Sequence, residues 1–147
     1  MRFVPGADVP ATYAHVSGDH SPLHQDADAA HEAGLPGVIL HGLYLYGVAV
    51  RAASADVDDD PRRVRSARAQ FRAPGVPGKE LVVGVAADPE EPGGRAVTLR
   101  QDGVDLLRDA VVTVEPPPDR EVGLSPGRRR PASSSPPPRT PGAAAGR

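Results

Sequence analysis

The residues able to do chemistry crowd into one strip, Tyr13 to Gly42, which carries His15, His20, His24, His31 and His41. Asp19 and His24 stand five apart across a loop that contains Pro22. Helical spacing does not put them on one face, but a turn can bring both side chains to one cleft. A carboxylate beside an imidazole holds and polarises a water and exchanges protons with a substrate near neutral pH. The same pair also suits a surface Asx-turn next to a solvent-facing histidine. Further on, His41-Gly42 opens an apolar helical run. Unpartnered backbone N–H groups and the positive end of the helix dipole meet at such a start, a seat for a carbonyl oxygen gaining negative charge. A glycine there lets a ligand approach closely. A plain helix start is the other reading.

Metal chemistry is the competing use of this strip. Of His15, His20, His24 and His31 with Asp19, Asp26 and Asp28, only His20 and His24 have His-x-x-x-His spacing, and Pro22 interrupts it. No His-Glu-x-x-His motif occurs, so no metal centre is expected. Phosphate loops, dinucleotide fingerprints and the Gly-x-Ser-x-Gly turn are absent as well.

The elements that must position these residues follow from punctuation and period. A short strand at Arg2–Val4 is the most that residues 1–12 offer, with Pro5-Gly6 and Pro10 as breakers. Tyr13 to Val16 suits one helical turn or an extended segment, and Ser17 to Pro22 is loop. Asp26 caps a short helix through Ala33, Gly34 takes its C′ position, and Pro36 stops it. Val38-Ile39-Leu40 is an extended approach to a helix over Gly42–Ser54. That helix has no polar face before Arg51, which predicts burial all round. Gly47 in its middle suggests the close approach of a sheet, because glycine there costs about 1 kcal/mol against alanine. From Val64 the period becomes two. Arg65–Phe71, Leu81–Ala87, Ala96–Gln101 and Val104–Val114 read as strands, with a tight hairpin at Asp102-Gly103. One buried helix followed by antiparallel strands is an α+β pattern, a sheet wrapped on a helix.

The whole chain sets bounds on these readings. Its 147 residues suggest one domain. Residues 1–115 carry 11 basic and 17 acidic side chains and residues 116–147 carry 6 and 2, so an acidic body precedes a basic tail. No nucleic-acid footprint is expected. The chain has no cysteine, which excludes disulfides and Cys-based zinc sites and fits a reducing compartment. Neither a signal peptide nor a membrane span is visible, so a soluble cytoplasmic protein is expected. Only Phe3, Tyr13, Tyr44, Tyr46 and Phe71 are aromatic, so the core rests on Val, Leu and Ala. A domain of about 115 residues made this way is marginal alone, which favours a dimer. Residues 116–147 hold nine of the 18 prolines and read as a disordered tail.

Two motifs together resemble a known family. Ser17-Gly18-Asp19-His20-Ser21-Pro22-Leu23-His24-Gln25-Asp26, then Ala33-Gly34-Leu35-Pro36-Gly37 and Ile39-Leu40-His41-Gly42-Leu43, are similar to the MaoC-like, hydratase 2 group. Phe71 to Leu81 is similar to its Phe-Arg-x-Pro…Pro-Gly-x-x-Leu stretch. The resemblance implies a single hotdog fold over residues 1–115, an antiparallel sheet around a long central helix. It also implies (R)-specific hydration of a trans-2-enoyl-CoA, or the reverse dehydration, without a cofactor. Asp19 and His24 match the residues that hold the added water, and Gly42 matches the residue whose N–H binds the thioester oxygen. The family's Asn is Ser21 here. Ser21, His41 and Tyr44 are the expected substrate-binding residues, with Tyr44 and Tyr46 as candidates to line an acyl tunnel. The strip most resembles the catalytic half of two-hotdog hydratases, so a homodimer or a pairing with a second hotdog subunit is expected. A thioesterase, a dehydratase of carrier-protein substrates, and a non-catalytic partner half are the alternatives.

Overall fold

The computed structural model describes residues 1–57 and 59–115. Five antiparallel strands form one sheet in the order β1-β3-β4-β5-β2. They are β1 (Arg2–Phe3), β2 (Val64–Phe71), β3 (Leu81–Ala87), β4 (Gly94–Gln101) and β5 (Val104–Val114). Three helices precede the long strands: α1 (Val9–Ser17), α2 (Ala27–Glu32) and α3 (Gly42–Val57). Leu45, Ala49 and Ala53 of α3 are buried and recur every fourth residue, which puts them on one face. That face meets Leu81, Val83, Val97, Leu99, Leu107, Ala110, Val112 and Val114 from the sheet. Branched and small side chains thus fill the core in place of aromatics.

The hairpin between β4 and β5 has Asp102 at φ 51° and Gly103 at φ 80°, the two positive values that a type I′ turn requires. Further along β5, Asp109 sits at φ 50°. Arg108 and Val111 of β5 oppose Gln70 and Arg68 of β2, while Leu107 and Ala110 oppose Leu99 and Val97 of β4. Three steps on β5 match two on either neighbour, so Asp109 is a bulge. It breaks the alternation of the strand and bends the sheet around α3. The sequence pattern reads β5 as uninterrupted.

Several expectations change at the amino-terminal half. Pro10 does not break the chain; it lies in the first turn of α1, where its missing N–H costs no helical bond. Helix therefore runs from Val9 through Tyr13 to Ser17, ended by Gly18 at φ 76°. α3 extends to Val57, beyond the predicted Ser54. Nor is it buried all round: Leu43 is 64% exposed, and Gly47 and Arg51 are exposed with it. A Cβ at Gly47 would meet nothing within 4 Å, so no sheet approaches there. The sheet covers one face of α3 and leaves this one open. The reading of residues 116–147 lies outside the described residues.

Candidate active site

Four short segments build the site, each fixed by local chemistry. Gly18 turns the chain out of α1, its N–H held by Ala14 O at 2.9 Å. Asp19 follows at once, its N–H donating to Ser17 Oγ at 3.2 Å while its Oδ1 accepts from the Ser21 N–H at 3.2 Å. This is an Asx-turn, as the loop composition suggests. A 3-10 turn over Pro22–His24 then closes with the Gln25 N–H on Pro22 O at 3.0 Å. Asp26 caps α2, accepting from the Asp28 and Ala29 N–H groups at 2.9 and 3.3 Å. The extended approach is pinned from two sides. Ile39 N–H donates to Leu23 O at 3.1 Å, and Leu40 N–H to Gly75 O at 2.8 Å.

Gly75 needs its smallness. A Cβ there would lie 3.1–3.3 Å from Leu106, Leu40 and Leu45. Its loop is held by the buried Gln101, whose Oε1 accepts from Val76 N–H at 2.8 Å and whose Nε2 donates to Val76 O and Lys79 O. The end of β4 therefore supports the segment that leads into the site.

These constraints bring Asp19, His24 and His41 together. One carboxylate oxygen and one nitrogen from each ring all lie within 4.8 Å of one another. His24 Nδ1–H donates to Ile39 O at 2.9 Å, which leaves Nε2 as the free nitrogen. His41 is 1% exposed, and its Nε2–H donates to Asp19 O at 3.0 Å. The two imidazoles stack with centroids 3.7 Å apart and planes 23° from parallel. The three groups offer one carboxylate oxygen and two imidazole nitrogens, a set able to hold a polarised water or a metal ion.

Gly42 is the first residue of α3, and its N–H has no acceptor among the described residues. The Phe71 ring lies over it: a Cβ at Gly42 would come within 3.2–3.6 Å of three ring atoms. Next to this start, Tyr13, Leu43, Tyr44, Gly47, Val48 and Phe3 line an open apolar groove of about 460 Å³. Tyr13 joins groove to site, its ring 4.8 Å from His41 and 5.9 Å from Tyr44. Burial raises the Tyr44 phenol above its ordinary pKa.

Among the expected residues, Asp19, His24 and His41 meet, Gly42 adjoins them, and Tyr44 lines the groove. Ser21 contributes its backbone N–H to Asp19, and its hydroxyl has no partner among the described residues. Tyr46 does not reach the groove, because its hydroxyl donates to Ala67 O on β2 at 2.7 Å. His15 and His20 are exposed outside the cluster, and His31 bonds Pro36 O at 3.3 Å. Two neighbours of the site were missed by sequence reasoning. Tyr13 gives only a weak helical signal, and Phe71 reads as strand, although it begins the stretch that carries part of the resemblance.

Known proteins resemble this chain in sequence and in fold. The MaoC like domain model matches residues 7–100. The enoyl-CoA hydratase ChsH3 of Mycobacterium tuberculosis is 42% identical over 91 residues, 61% of this chain and 32% of that protein. The crystal structure of a MaoC-like dehydratase from Phytophthora capsici superposes with a TM-score of 0.73 at 26% identity, covering 80% of this chain and 42% of that one. A chain of the ChsH1-ChsH2 complex from Mycobacterium tuberculosis shares the fold at 16% identity, with a TM-score of 0.64 and 92% of its length covered. The chain thus spans less than half the length of the first two relatives. The family model, the sheet order and the wrapped helix agree: this chain belongs to the MaoC-like dehydratase family and has its hotdog fold.

Proposed function

We propose that the chain hydrates a trans-2-enoyl thioester to the (R)-3-hydroxyacyl thioester and catalyses the reverse dehydration. The observation that carries this reading is the meeting of Asp19, His24 and His41 within 4.8 Å beside the Gly42 N–H, which has no acceptor among the described residues. The Asp19 carboxylate and His24 Nε2 hold a water between them. Its oxygen adds to C3 of the enoyl group, and a proton reaches C2 through the same pair. Negative charge grows meanwhile on the thioester oxygen, where the Gly42 N–H and the positive end of α3 receive it. Water delivered from one side of the double bond gives one hand of product. The apolar groove lined by Tyr13 and Tyr44 takes the acyl chain.

The substrate is an acyl thioester of CoA, and a second hotdog domain completes the working unit, either another copy or a separate subunit. The open face of α3 supports this pairing: Leu43 lies 64% exposed on a groove with little polar lining. The aligned part covers only 32% and 42% of two relatives, in keeping with a second domain in the working unit.

The decisive experiment follows enoyl absorbance on adding the protein to crotonyl-CoA, with Asp19→Asn alongside and the product's hand determined. Loss of absorbance that yields the (R)-alcohol, slowed about 10²–10⁴-fold in the variant, is the expected outcome. Full activity in Asp19→Asn, or release of free CoA thiol with the enoyl group intact, overturns it.

A further inference from the structure

We propose that His41 is a positioning residue which locks the Asp19/His24 pair to the oxyanion end of α3. The inference rests on the hydratase reading above. Asp19 lies in an exposed loop, and among the described residues its carboxylate is tied only to its own turn through the Ser21 N–H. Among the described residues, the one long-range bond that holds its backbone comes from His41, whose Nε2–H reaches Asp19 O across 22 residues of chain. The same ring lies flat against His24. One side chain therefore touches both members of the pair, although they stand five residues apart in a segment with no sheet or long helix to index them.

His41 also precedes Gly42 directly, so its position is tied to the first N–H of α3. The distance between the held water and the thioester oxygen is then set by one rigid unit: ring, peptide, helix start. A displacement of about 1 Å between reacting groups costs on the order of a hundredfold in rate, so such a unit matters most in the transition state. A carbonyl only accepts, so in the neutral ring the bond to Asp19 O fixes the proton on Nε2 and leaves Nδ1 as an acceptor. That Nδ1 is buried and has no partner among the described residues. Simple packing would favour an apolar side chain at a site 1% exposed, because an unmet buried acceptor is unfavourable.

Three substitutions separate the parts. His41→Phe keeps a flat ring against His24 and removes the tether. His41→Gln restores a donor near the Nε2 position, and His41→Asn restores an acceptor near Nδ1 without the reach to Asp19. With crotonyl-CoA, His41→Phe is expected to lower kcat about 10–100-fold with KM within about twofold, and His41→Gln to recover most of that loss. His41→Asn should resemble His41→Phe. The ¹⁵N imidazole spectrum of the unaltered protein should show the proton of His41 on Nε2, hydrogen-bonded to the Asp19 carbonyl. Equal impairment of the Gln and Phe variants, unchanged kcat in His41→Phe, or a proton on Nδ1 in the spectrum each overturns the proposal. A rise in KM alone does so too, since it would make His41 a substrate contact. The spectrum needs no turnover. A protein inactive on enoyl thioesters would thus sink the hydratase reading while the tether is still decided.

Discussion

The strip from Tyr13 to Gly42 and the sheet with its helix are built on opposite principles. The sheet with its helix gains its stability from area: it supplies twelve of the thirteen buried side chains of the main core, all Leu, Val or Ala, where any well-shaped apolar group serves. The strip holds its shape by direction. An Asx-turn, a 3-10 turn, a helix cap and two histidine–carbonyl bonds fix it, each dependent on one atom of one residue. The difference teaches where change is tolerated. Volume-preserving swaps in the core should pass, whereas changes in the strip should cost function at little cost in folding.

Paired substitutions can break that division. Asp19→Asn should cut turnover about 10²–10⁴-fold with an unchanged thermal midpoint. Leu99→Ala should do the converse, losing about 2–5 kcal/mol in denaturant titration while the remaining folded fraction keeps its kcat. A core substitution that selectively abolishes turnover would show that the two regions are not separable. At the boundary, Gly42→Pro and Gly42→Ala sharpen the comparison. Both place a carbon against the Phe71 ring, but only proline removes the N–H, at a helix position that accepts it. Steady-state kinetics should find Gly42→Pro about 10²–10³-fold slower than Gly42→Ala. The smallest effect is expected on the open face. Leu43→Glu should shift the mass found by light scattering towards the monomer and lower the melting midpoint slightly.

Different parts of the molecule were legible for different reasons. Period two and the Asp-Gly tip gave β3, β5 and the hairpin their bounds, because one buried sheet face imposes alternation on the sequence. The bulge at Asp109 was hidden, since a single inserted residue leaves composition untouched and shows only in the register of both neighbours. Pro10 misled because a proline reads alike as breaker and as first-turn residue until the cap is known. In the candidate site, residue types and the family resemblance single out Asp19, His24 and Gly42, and the structure brings the first two together with His41. The stacking of His41 on His24 was not legible, because it depends on a carbonyl bond between segments 22 residues apart. Gly47 was read for the wrong reason: its helix cost suggested a neighbour close by, and the structure shows open space.

That open space has a consequence for selectivity. A methyl group at position 47 would fit without contact and favour the helix by about 1 kcal/mol, so the chain forgoes a stabilisation that costs nothing sterically. What the glycine leaves is width, on the wall of the groove that begins at Tyr13. On the hydratase reading proposed above, the length and branching of the acyl chain admitted there are expected to depend on this one backbone position. Side chains of graded size at that position would act as a stop, moving the preferred substrate towards shorter chains without touching the residues that carry the reaction.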